Sequence, residues 1–92
     1  MIVGVCTVEI HLPFSHSLKD KRKVLKSLKD RLRRHNVSVA EVDAQDLWQR
    51  SVLGIAAVSG TKPPLEALFQ AILGEIESQI PGEILQRDID YL

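Results

Sequence analysis

The sequence predicts an α+β sandwich, with a four-stranded antiparallel sheet and two helices on one face. Three observations carry that expectation. β-branched runs and helically spaced apolar runs follow one another in the order βαββαβ. Two crossover units joined by a hairpin close into such a sheet, which is the ferredoxin-like arrangement. Finally, a chain of 92 residues that is 45% apolar and 26% charged has the composition of one folded domain, residues 1–92, built of two layers.

Each element has its own signal. Residues 2–12 are β-branched and end at Pro13, so they form a strand. Cys6 and Val8 lie on its continuous apolar face, whereas Glu9 and His11 make the other face polar at one end. Ser17 followed by Asp20 resembles a capping box that starts a helix over about residues 18–34. There Leu18, Val24, Leu25, Leu28 and Leu32 share an arc of roughly 120°. His35-Asn36 ends that helix, and Val37 to Val42 alternates as a short strand. Residues 51–59 suit a second central strand. After the breaker cluster Gly60 to Pro64, the helical spacing of Leu65, Leu68, Phe69, Ile72, Leu73 and Ile76 predicts a helix over about 64–79. Pro81-Gly82 stops it, and residues 83–91 close the sheet as a weak strand. Strands one and three are the inner pair. Cys6, Val8, Leu25, Leu28, Leu32, Ile55, Leu68, Phe69 and Ile72 are the expected buried cluster.

Composition narrows the setting. A single cysteine, Cys6, makes no internal bridge and suits a reducing cytoplasm, where the protein is expected. No apolar run is long enough for a membrane span, and no signal peptide is expected.

The net charge of zero conceals a strong segregation. Residues 18–35 hold nine lysines and arginines against two aspartates, a local charge of +7, and the rest of the chain carries −7. On a helical projection Lys19, Arg22, Lys23, Lys26, Lys29, Arg33 and Arg34 fall on an arc of about 140° opposite the apolar arc, interrupted only by Asp30. Solvated helix faces ordinarily mix signs in acid–base pairs one turn apart. One-signed faces suit the phosphates of a nucleic acid, so these seven residues are the candidate nucleic-acid contacts. A face that serves only solubility is the competing explanation.

A second candidate precedes the helix. His11, His16, Ser17 and Lys21 gather around a helix start whose free N–H groups suit an anion. Alternatively, Ser17 only caps the helix, and Lys21, which projects from the apolar arc, lays its stem along the sheet edge.

Enzyme chemistry finds little support. Acylphosphatases share the topology and cradle phosphate in the same first loop with glycines, but His11-Leu-Pro-Phe-Ser-His-Ser17 contains none. The three histidines and Cys6 have no metal-ligand spacing, and no cofactor motif occurs. Cys6 falls on the core face, where a thiol is inert packing. RNA-recognition domains of this topology stack bases on aromatics of the inner strands, and strands one and three contain none. Contacts with RNA are therefore expected to run through backbone and shape. Val3 and Val5 on the open sheet face could instead bury against a second copy. Trp48, after the polar turn Asp43-Ala-Gln-Asp46, is expected to pack over the core edge, with an exposed partner contact as the alternative.

Several blocks combine into a resemblance. His11-Leu-Pro, Ser17-Leu-Lys-Asp-Lys-Arg22, Asn36-Val-Ser-Val-Ala-Glu-Val42, Asp46-Leu-Trp48 and Leu53-Gly54 together resemble the YlxP-like family of small bacterial proteins, over nearly the whole chain. The family is classed as of unknown function. The resemblance implies a ferredoxin-like fold and genes that neighbour those of translation initiation and ribosome maturation, and it transfers no catalytic residue. Hence the leading expectation is a non-enzymatic module that contacts RNA or the ribosome through the basic helix. Two others stand beside it: a homodimeric interaction module that docks an acidic protein, and a small phosphate-ester hydrolase at the first loop dependent on Arg22 or His16.

Overall fold

The computed structural model describes residues 1–80 and 83–92, so the expected helix stop at Pro81-Gly82 lies outside the described residues. Its elements are β1 (Ile2–His11), α1 (Leu18–Leu32), a 3₁₀ turn (Arg33–His35), β2 (Ser38–Asp43), β3 (Arg50–Ser59), α2 (Lys62–Gln79) and β4 (Glu83–Tyr91). The sheet order is β2-β3-β1-β4 and every pair is antiparallel, so β1 and β3 are the inner strands, as their apolar character requires. The register sets Cys6 opposite Ile55 and Val8 opposite Leu53 on the buried face.

Both helices lay their apolar faces on that side of the sheet. Leu25, Leu28 and Leu32 of α1 and Leu65, Phe69, Ile72 and Ile76 of α2 join Cys6, Val8, Ile10 and Ile55 in one core. The exception in the expected cluster is Leu68, which is only half-buried and packs at the core's margin. Gly4 is needed here. A Cβ at this position would sit 2.6 Å from Phe69 Cε2, so the ring packs directly against bare backbone.

Several boundaries differ from expectation, with β1 ending at His11 and β3 beginning at Arg50. α1 ends at Leu32 and tightens into the 3₁₀ turn, and Asn36 then takes the left-handed conformation (φ 60°) that ends many helices. α2 begins two residues early, at Lys62, because proline's fixed φ suits a first helical turn. β2 is Ser38–Asp43, carrying a bulge between Glu41 and Asp43 that folds Val42 onto the open face above Gly54. A second bulge, opposite Glu9 and Ile10, leaves Leu85 of the β4 edge exposed.

Candidate nucleic-acid interface

The N-terminus of α1 is fixed by a reciprocal cap. Ser17 Oγ accepts a hydrogen bond from the Asp20 amide at 3.0 Å, and the Asp20 carboxylate accepts one from the His16 amide at 3.2 Å. Capped and packed in this way, the helix presents Lys19, Arg22, Lys23 and Lys26 to solvent from its N-terminal half. None of these four pairs with a carboxylate among the described residues. Lys29 differs from them. It is half-buried on the flank of the helix, so its stem packs while the other four side chains stand free. Arg33 and Arg34 are exposed but belong to the 3₁₀ turn, whose tighter winding displaces them from the row that a continuous helix would make. Arg33 also pairs with Asp30 at 3.3 Å, an exposed contact of little energetic consequence. Arg31, absent from the expected stripe, is exposed too. With Lys23 and Ser27 it edges a groove of about 490 Å³ between the helices, floored by Phe14, Val24, Leu28 and Ile80.

The four residues of the expected anion site do not converge. Lys21 is 1% exposed, and its ammonium is fully engaged: Nζ donates to the carbonyls of Ala44 (2.9 Å), Gln45 (3.2 Å) and Arg50 (3.2 Å) and lies 2.9 Å from Glu41 Oε2. An ammonium has three protons to donate, so nothing remains for an external anion. The stem packs at the sheet edge, as its place in the apolar arc implies, but the head turns inward. His11 faces Glu83 at 3.6 Å on the open face of the sheet, Ser17 is occupied as the cap, and His16 is exposed.

The loop that Lys21 holds is what sequence reasoning missed. Ser51 Oγ donates to Glu41 at 2.7 Å, completing a Lys21–Glu41–Ser51 knot at the edge of the sheet. Gln49 ties the same loop to the start of α1, with Nε2 donating to the carbonyls of Pro13 (3.3 Å) and Ser15 (3.1 Å) and its own carbonyl accepting from the Leu12 amide (2.7 Å). Ala44 is held at φ 59°, a strained conformation for a residue with a Cβ. Because these bonds fix the turn by its polar groups, the apolar side chains stay outside. Trp48 is 55% exposed and Leu47 49%. The expectation that Trp48 packs over the core edge is therefore corrected. The only sequence signal for this arrangement was a lysine in the middle of an apolar arc.

Negative charge lies elsewhere. On the open face of the sheet Glu9 neighbours Gln86 and Asp88, beside Thr7 and Val52. The apolar part of that face holds Val3, Val5 and Ala56, with Val42 and Val58 exposed. Burial in the core pushes the Cys6 thiol above its usual range, an effect opposed by Arg87 and reinforced by Asp88. No group of three or more metal-ligating side chains occurs among the described residues. Nor is any helix of the described residues long and apolar enough to cross a membrane.

Residues 3–89 match the family described as "Protein of unknown function (DUF503)". The chain belongs to this family. It is 40% identical over 78 residues to the uncharacterized protein YlxP of Bacillus subtilis (strain 168), an alignment that covers 84% of this chain and 85% of that protein. Solved structures similar to this member of the family share its fold at low identity. The de novo designed ferredoxin-fold protein LFR1 1 superposes with a TM-score of 0.61 at 15% identity, over 97% of this chain and 84% of the design. The structural-genomics protein YJCS gives 0.55 at 8% identity over 96% of each chain. One neighbour is a design and the other shares almost no sequence, so the likeness speaks for the fold alone.

Proposed function

We propose that the protein is a non-enzymatic module that binds structured RNA, of the kind found in the ribosome, through the exposed face of α1. One observation carries this: Lys19, Arg22, Lys23 and Lys26 stand side by side in solvent, without carboxylate partners among the described residues. Arg31, Arg33 and Arg34 extend the positive surface toward the far end of the helix. An isolated positive field of this kind destabilises a helix through self-repulsion unless a partner's charge offsets it. Phosphates supply that charge in a row, and each neutralised phosphate releases condensed counterions. The local charge of +7 on residues 18–35, against −7 on the rest of the chain, further favours an anionic partner arriving at α1. The inner strands offer no aromatic platform, so recognition rests on backbone and shape.

Binding of a ribosomal RNA fragment, measured at two salt concentrations, tests the proposal. Affinity that falls steeply with salt supports it, and no binding at low salt overturns it. A second reading, a homodimer through the open sheet face, is favoured by Val58 and Val42, which are 64% and 53% exposed on that face. Sedimentation of the purified protein decides between monomer and dimer. A partner protein with an acidic surface would satisfy the same cations, and its capture would survive nuclease treatment. A phosphate-ester hydrolase at the first loop would have to work through Arg22 or His16 without Lys21, whose ammonium is engaged at the sheet edge.

A further inference from the structure

We infer that Trp48 stacks on an unpaired nucleobase of the RNA whose phosphates lie along α1, an inference that rests on the RNA-binding proposal above. Leaving an indole more than half exposed is costly in water, and here it is held out by design of the loop, not by disorder. The carbonyls of Ala44, Gln45 and Arg50 converge on the Lys21 ammonium, and Gln49, the residue after Trp48, bonds to Pro13 and Ser15. Both ends of the loop are thus anchored to the first turns of α1 and the segment that leads into them. The same turns carry Lys19, Arg22 and Lys23. An exposed aromatic side chain on a loop pinned to the helix that carries the free cations combines the two parts that single-stranded RNA sites use, a stacking surface for the base and positive charge for the backbone.

The local charges sort the two parts of a nucleotide. Asp46 and Asp43 lie on the loop with Trp48 and repel phosphate there, so the backbone is directed toward the helix and the uncharged base toward the indole. Leu47, also exposed, widens the apolar surface on which a base can rest. Stacking from a loop in this way requires no aromatic on the sheet, which removes the objection that β1 and β3 lack one.

Trp48 is the only tryptophan in the chain, so its fluorescence reports the contact directly. The probes are an RNA hairpin with an unpaired loop and a fully paired duplex of matching stem sequence. On titration with the hairpin the emission is expected to be quenched, and Trp48→Ala to bind the hairpin about tenfold more weakly with an unchanged salt slope. Trp48→Phe should recover most of that loss, and the duplex should bind the parent and Trp48→Ala alike. Melting of Trp48→Ala at the parent's temperature establishes that the loss is one of contact. If the hairpin binds in a salt-dependent manner while emission and Trp48→Ala affinity stay unchanged, stacking is overturned and the cation contact stands. If neither RNA binds the parent, both fail. Should Trp48→Ala instead abolish self-association and leave RNA affinity intact, Trp48 is a protein anchor and the inference is wrong.

Discussion

Replacing Lys21 with methionine keeps the buried stem and removes only the ammonium. Three backbone carbonyls, those of Ala44, Gln45 and Arg50, then lose their donor, and Glu41 loses its cation. An unsatisfied buried acceptor costs roughly 1–3 kcal/mol, and breaking a buried ion pair by removing one partner roughly 3–5 kcal/mol. Both figures need reduction here. The Glu41 side chain is 17% exposed and keeps its bond from Ser51, and the loop can admit water. The expected net loss is about 2–4 kcal/mol, out of a total stability of roughly 5–14 kcal/mol for a chain this size. At ~4–8 °C per kcal/mol for a small domain, Tm falls by about 8–32 °C. Thermal melting followed by circular dichroism, together with urea unfolding at 25 °C, reads the change. The double variant Lys21→Met, Glu41→Gln should recover part of the loss, since it removes the uncompensated carboxylate along with the lysine. A Lys21→Met protein that melts within ~3 °C of the parent refutes the structural role assigned to this residue.

Other consequences follow from the same packing. Gly4→Ala forces a methyl against the Phe69 ring, 2.6 Å away, and should cost about 1–3 kcal/mol in urea unfolding, with Gly4→Ala, Phe69→Leu recovering part of it. Cys6 should resist thiol reagents in the folded protein and react on unfolding, because its thiol is buried. Its folded pKa is raised, so the unfolded chain sheds the proton first. The stability this group contributes is complete below the unfolded value and declines as pH rises from there through the folded one; melting of parent and Cys6→Ala between pH 7 and 9.5 should show a steeper fall for the parent.

The sheet was legible because its inner strands announce themselves. Cys6, Val8 and Ile10 alternate in β1, Leu53 and Ile55 answer them in β3, and a one-residue slip of the pairing would turn one set to solvent. The helix phases were equally plain, since Leu25, Leu28 and Leu32 leave one face to the core. Boundaries were less so, because the 3₁₀ turn at Arg33 depends on hydrogen bonds that close one residue early. The candidate site was half legible. Helical spacing placed Lys19, Arg22, Lys23 and Lys26 correctly on the solvent face, whereas the half-burial of Lys29 depends on what packs beside it. The partners of the Lys21 ammonium and the exposure of Trp48 escaped the sequence together and for one reason. The partners of Lys21 are carbonyls, which every residue carries, so no side-chain pattern announces them. Once that loop is fixed through its backbone, the position of Trp48 follows from it and not from the hydrophobicity of indole.

The most direct test is the RNA affinity of the parent and of the double variant Arg22→Glu, Lys26→Glu across a salt series. Both residues are exposed and lack carboxylate partners among the described residues, so the variant should melt close to the parent, within ~0.5 kcal/mol per substitution. If α1 neutralises about four phosphates, raising salt from ~50 to ~200 mM should weaken the parent about a hundredfold. The variant should bind more weakly at every salt concentration and with a shallower slope, because two phosphate contacts have become repulsions. A correctly folded variant that binds RNA as tightly as the parent, with the same salt slope, contradicts the assignment of α1 as the nucleic-acid surface.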